Sequence, residues 1–310
     1  MKLDGSAIHP AGEAILSTPA RTRGAAGLWW GALGILAFSF TVPLTRVAVG
    51  AGLPALFVGA GRAVVAAVLA AILLAILRPA RPRGRQWLSL AVVAFGVVLG
   101  FPLLTSYALA SVPASHAATV IAVVPAVTAV FACLRTGERP KARFWIFAAL
   151  GSLAGVLFAA IQGGGLGGLH AADLLLFGAV IAVAIGYAEG GVLSKTLGSW
   201  QTISWALIIS LPATTALTGF SAVGQDVQAS FIGWLCFAYL AVVSMFLGFF
   251  AWYRGLAIGP MVRVSQVQLM QPLLSIVWAA WFLAEALTWA TVLGGLVVVL
   301  FAWLAVRSRR

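Results

Sequence analysis

A few ionisable and amide side chains stand inside long apolar runs of a chain that is 62% hydrophobic and 8% charged. A charge at the bilayer centre costs about 2.5–3.5 kcal/mol on insertion scales, so each one needs a reason. Arg62 lies well inside one such run. Its guanidinium could contact an anion or a carboxylate; it could also bond to backbone carbonyls or snorkel outward. Arg46 sits nearer a membrane surface, where the structural roles suffice. Glu189 is the carboxylate placed deepest in a run. Burial favours a neutral carboxylate, which suits a proton carrier. Glu189 could instead hold the amino group of a solute, or pair statically with Lys195 or Arg254. His116 and Thr119, three residues apart, share one helical face. Gln268 and Gln271, with Ser265 and Ser275, form a second polar stripe, for which helix–helix hydrogen bonding is the alternative. Thr41, Tyr107, Tyr187, Trp252 and Tyr253 could bind or stack on a solute, or simply pack. Pro43, Pro125 and Pro272 fall inside apolar runs. Each removes a backbone donor, which kinks the helix and frees a carbonyl or makes a hinge.

This is binding and proton chemistry, with little that could cut bonds. No HExxH, no DxxxD pair and no serine with a plausible histidine partner occurs. The aspartates beyond the first residues, Asp173 and Asp226, lie near loops. A membrane-embedded enzyme, or a non-transporting scaffold or channel, remains the alternative reading. The formal GxGxxG match at Gly163, Gly165 and Gly168 has no preceding strand, so it reads as a flexible linker and not as a nucleotide loop. Cys133 ends one run and Cys236 begins another, and they offer no disulfide, zinc or redox motif. No cofactor, metal or nucleic acid is expected.

The elements that must position these residues repeat. Leu109–Glu138 laid on Leu256–Glu285, an offset of 147, matches at eight of thirty positions, including Pro113/Pro260, Pro125/Pro272 and Glu138/Glu285. Composition would give roughly three by chance. The same offset pairs Gly31-Ala32 with Gly178-Ala179. It also makes Arg263 and Gln266 the counterparts of His116 and Thr119.

A span needs about 20 apolar residues. Runs near 27–48, 54–77, 87–110, 113–134, 143–161, 172–194, 200–219, 229–257, 260–283 and 287–306 read as ten transmembrane helices. The eighth is the longest and is expected to bend near Gly248 or end before Gly255. The fold class is therefore all-α, in two five-helix repeats around a central cavity. Residues 1–26 form a tail, 27–161 the first repeat, 162–171 a Gly-rich linker and 172–306 the second. A repeat of five spans makes its second copy enter the membrane inverted, as in secondary transporters.

Lys and Arg sort by loop. They crowd the tail, the loops after the second and fourth spans (Arg78, Arg81, Arg83, Arg85; Arg135, Arg139, Lys141, Arg143) and the carboxyl terminus. The loops after the third, fifth, seventh and ninth spans carry none. By the positive-inside rule both termini are cytoplasmic, in a bacterial-type inner membrane. The formal charge of +12 is thus topological.

Several motifs resemble one family. They are Phe38-Ser39-Phe40-Thr41-Val42-Pro43 with Arg46, Gly61-Arg62, and Tyr107-Ala108-Leu109 leading to Pro125 and Gly137-Glu138. Tyr253-Arg254-Gly255-Leu256 leads likewise to Gln271-Pro272 and Ala284-Glu285. Together they resemble the drug/metabolite transporter superfamily, specifically its EamA-type ten-helix members. Ala284 departs from the resemblance, since glycine commonly precedes that glutamate. The resemblance implies a secondary active exporter of small metabolites, such as amino acids or amphiphilic compounds. Its cavity would be lined by spans 1, 3, 4, 6, 8 and 9 and open alternately to each side. The expected partners are a small-molecule solute, the lipid bilayer and protons, and the expected state is a monomer.

Overall fold

In lipid a backbone amide finds no water, so apolar runs of this length satisfy their amides internally as helices. The structure, a computed structural model, describes residues 20–136, 141–162, 171–224, 227–258, 264, 267–285 and 288–308. Among these the chain is helical with no strand. In chain order the helices are α1 (Ala25–Gly50), α2 (Ala55–Leu77), α3 (Gln86–Ala108), α4 (Ala114–Arg135) and α5 (Ala142–Gln162). There follow α6 (Ala171–Leu197), α7 (Ser199–Gly224), α8 (Phe231–Ile258), α9 (Met270–Leu283) and α10 (Trp289–Ser308). Seven of them, α1 to α4 and α6 to α8, are each long and apolar enough to cross a membrane.

The packing partners are reciprocal. α2 packs on α7 and α5 on α10. α1 packs on α8 as its counterpart α6 packs on α3, and α4 packs on α6 as α9 packs on α1. Exchanging the repeats therefore returns these principal contacts. Small residues let the paired backbones approach, the usual device where lipid offers no hydrophobic drive. A β-carbon at Gly255 of α8 would lie 2.7 Å from the Gly31 nitrogen of α1. One at Gly96 of α3 would collide with the Ala182 carbonyl of α6.

Three helices are interrupted beside their prolines. α1 breaks at Phe40, three residues before Pro43; α4 turns at Ala122 and Val123 before Pro125; the chain turns at Gln268 and Leu269 before Pro272. Proline has no N–H for the carbonyl four residues back. For Pro43 that carbonyl is Ser39, and the Ser275 hydroxyl of α9 donates to it at 2.7 Å. Trp278 Nε1 donates to the Ser39 hydroxyl at 2.9 Å, which pins the α1 break to α9 from a second direction.

α3 and α8 are distorted differently. Each carries a π-helical stretch, Ala94–Gly100 and Leu240–Leu247, and the two nearly coincide when the repeats are overlaid. The second ends just before Gly248, where the bend in the eighth span was expected.

Candidate functional site

The interrupted and π-helical segments surround two small adjoining cavities of about 10 and 20 Å3, each with room for about one water molecule. They share Phe101, Val183, Tyr187 and Gln271. The first is completed by Ile121, Val124, Pro125, Gln268 and Pro272. The second adds Thr41, Arg62, Val97, Pro102, Ser244 and Phe249 among others.

Five pairs of lining residues stand at the repeat offset: Val97/Ser244, Pro102/Phe249, Ile121/Gln268, Val124/Gln271 and Pro125/Pro272. The cavity therefore sits where the two repeats meet. Its two walls differ in chemistry. The first repeat contributes Val97, Pro102, Ile121 and Val124, where the second contributes Ser244, Phe249, Gln268 and Gln271. At these paired positions the first repeat is apolar, while the second carries hydroxyl and amide groups at three of the four; Thr41 and Arg62 add polar groups from the first repeat. Thr41 Oγ1 and Ser244 Oγ are 2.7 Å apart, tying α1 to the π-helical stretch of α8. Phe38 and Phe249 pack at 4.7 Å between centroids and Tyr187 and Phe249 at 6.0 Å, which gives the cavity an aromatic edge.

Arg62 is the charged group in the lining. It is 1% exposed, and its Nε, Nη1 and Nη2 lack hydrogen-bond partners among the described residues. Gln268 Oε1 is likewise buried without a donor. Arg62 neither bonds to carbonyls nor snorkels. Arg46 does the former: its Nη1 donates to the Leu109 and Ala110 carbonyls at 2.6 and 3.0 Å and closes the end of α3.

Of the residues singled out in the sequence, Thr41, Arg62, Tyr187, Gln268, Gln271, Pro125 and Pro272 come together around the cavity. Trp252 and Tyr253 are buried behind the aromatic edge, 5.8 Å from Tyr187 and 5.5 Å from Phe249 respectively. Pro43 lies one turn from Ser39, where α1 meets α9. Tyr107 is 46% exposed and stands apart from the lining. Thr119 turns its hydroxyl onto the Ser115 carbonyl at 3.1 Å. His116 Nε2 lies 2.7 Å from Asp173 Oδ1 of α6. Arg263 and Gln266 lie outside the described residues.

The pairing expected of Glu189 is corrected. Its partner is Arg135, at the end of α4: Nε to Oε2 is 2.5 Å and Nη2 to Oε1 is 3.2 Å. Lys195 is six residues on from Glu189, about 240° around the helix, so the two side chains diverge. Arg254 lies over the Trp30 ring instead, 5.0 Å from its centroid.

Sequence reasoning did not single out Ser244, Phe249, Arg135, Asp173 or Glu285 as site residues. Glu285 accepts the backbone N–H groups of Ala114 and Ser115 at 2.8 and 2.9 Å, a carboxylate on the amino end of α4 contributed by the other repeat. Its signal was available: Glu285 and Glu138 occupy the same position in the two copies.

A profile of the EamA-like transporter family matches the chain twice, over residues 25–161 and 170–307. The chain belongs to the EamA-like transporter family. The uncharacterized transporter YdeK of Bacillus subtilis (strain 168) is similar, 45% identical over 270 residues that cover 87% of this chain and 93% of YdeK. A solved crystal structure shares the fold with a TM-score of 0.62 at 19% identity, covering 91% of this chain and 96% of that one. This EamA-family chain is thus an integral membrane transporter and not an enzyme. The sequence resemblance and the two matched segments agree on a ten-helix fold.

Proposed function

We propose that the protein is a secondary active exporter that moves small metabolites, such as amino acids or amphiphilic compounds, by alternating access. The supporting observation is the central cavity, whose walls come from equivalent positions of the two repeats. Five helices per repeat would place the second copy inverted in the membrane. A cavity on the axis relating inverted halves can face either side when one half rocks against the other. The helix interruptions beside Pro43, Pro125 and Pro272 are the natural hinges for that motion. Termini in the cytoplasm of an inner membrane follow from the Lys and Arg alternation, and protons are the proposed coupling ion, carried at Glu189.

The test is substrate counterflow in proteoliposomes over amino acids, amphiphilic cations and carboxylates, with cysteine labelling at 80–84 and 222–227 to read orientation. Saturable exchange is expected, with Gln268→Ala slowing it while expression holds. Absence of exchange for every solute would reject the transporter mechanism. Labelling of both loops from one face would reject the inverted topology.

A further inference from the structure

We infer that the solute carried in the central cavity is a small monoanionic carboxylate with an apolar or aromatic body. This rests on the transport reading of the cavity and narrows its substrate class. Three observations carry it.

The first is Arg62. A guanidinium stays protonated in proteins and presents a planar fork of donors. Here it is fully buried, lines the cavity and, among the described residues, has no hydrogen-bond partner for any of its three nitrogens. A buried charge is strongly unfavourable until paired, so the site favours a solute that brings the opposite charge. The fork matches a carboxylate through two parallel hydrogen bonds.

The second is the charge count. Among the described residues the lining holds this one cation and no carboxylate. A cationic amphiphile would add a second unpaired positive charge. A zwitterionic amino acid would neutralise Arg62 and leave its own ammonium without a counter-charge. A phosphate dianion would leave one negative charge over. A monocarboxylate closes the balance.

The third is the asymmetry of the walls. Val97, Pro102, Ile121 and Val124, with Phe101 at the shared lining, offer an apolar surface for the body of the solute. The second repeat adds Ser244, Gln268 and Gln271 to the lining. Gln268 Oε1, in the adjoining cavity and without a partner among the described residues, can accept one donor from the solute.

The experiment uses the full chain, purified and in proteoliposomes, with three probes of one skeleton: 3-phenyllactate, phenylalanine and phenethylamine. Thermal stabilisation and counterflow are expected with 3-phenyllactate, weaker responses with phenylalanine and none with phenethylamine. In Arg62→Gln, 3-phenyllactate binding should weaken by roughly 30-fold or more, the usual consequence of removing one partner of a buried charge pair. Arg62→Lys should recover part of it. Arg62→Met without ligand should melt no lower than the wild type, because an unpaired buried charge has been removed. A structural arginine would give the opposite result, with both Arg62→Met and Arg62→Gln unfolding at lower temperature and no loss specific to the carboxylate. Counterflow of phenethylamine or phenylalanine at least as fast as of 3-phenyllactate would overturn the carboxylate assignment and leave the transporter standing. Failure of all three, together with every solute of the wider panel, would strike the transport reading itself.

Discussion

At the scale of single residues, the backbone of Ala284 connects sequence and structure closely. The carboxyl end of α9 closes with Ala284 at φ 52° and ψ 30°, in the left-handed region. That conformation costs a residue with a β-carbon about 1–2 kcal/mol, and glycine nothing comparable. It also turns the chain so that the next residue, Glu285, reaches the amino end of α4. A glycine there is what the family resemblance leads one to expect, and the geometry explains why. Ala284→Gly should therefore stabilise the protein. The relief is offset by the extra freedom of glycine in the unfolded chain, about 0.4–1 kcal/mol, which leaves a net gain of roughly 0.5–1 kcal/mol. Thermal unfolding in detergent reads it directly, and a lower melting temperature would show that Ala284 is not strained. Glu285 itself was visible only as half of a repeated pair. Its role as a cap depends on α4 lying beside it, which no local pattern encodes.

Helices differ in how much of their geometry their own residues declare. The interruptions of α1, α4 and α9 were legible because proline deletes a donor at a known place. The π-helical stretches of α3 and α8 were not: Ala94–Gly100 and Leu240–Leu247 contain no residue type that demands an extra residue per turn. Their consequence is nonetheless specific. They bring Val97 on one side and Ser244 with Met245 on the other to the cavity. Gly96, within the first stretch, meets the backbone of α6 at Ala182 and Gly186, where a β-carbon would collide. The site of that contact was equally hidden, because a glycine in an apolar run is only a possible contact until its partner is known. Gly96→Ala should force α3 and α6 apart. The expected loss is about 1–3 kcal/mol, the range for overpacking a tight core. Gly219 in α7 is the matched control, since a β-carbon there meets nothing within 4 Å. Thermal unfolding of the two alanine variants should separate them clearly; equal melting temperatures would show that the α3–α6 contact yields without cost.

Across the whole molecule, α4 is fastened to α6 of the other repeat near both ends. His116 meets Asp173 at one, and Arg135 meets Glu189 at the other. The sequence pointed to His116 and Glu189 as chemically unusual, but the identity of their partners depends on a contact between repeats. Residues 135 and 189 are brought together only once α4 lies on α6. In the proposed alternating mechanism one end of α4 would loosen while the other stays fixed. Protonation of Glu189 would release Arg135 and so link proton uptake to that motion. The pair suits a switch energetically. Arg135 has half its side chain exposed, against 11% for Glu189. Partly solvated pairs of this kind contribute up to about 1 kcal/mol, little enough for one proton to reverse. Glu189→Gln keeps the shape and hydrogen bonding of the side chain and cannot titrate. In inverted vesicles it should lose uptake driven by a pH gradient, retain solute exchange, and lower the unfolding free energy by no more than about 1 kcal/mol. Arg135→Gln supplies the contrast, for it breaks the pair yet leaves the carboxylate able to titrate. A purely structural pair would make the two variants alike, impairing every transport mode together with thermal stability. Undiminished gradient dependence in Glu189→Gln would remove Glu189 from the coupling path. His116, paired with Asp173 at the opposite end of the same helix, would then be the group to replace next.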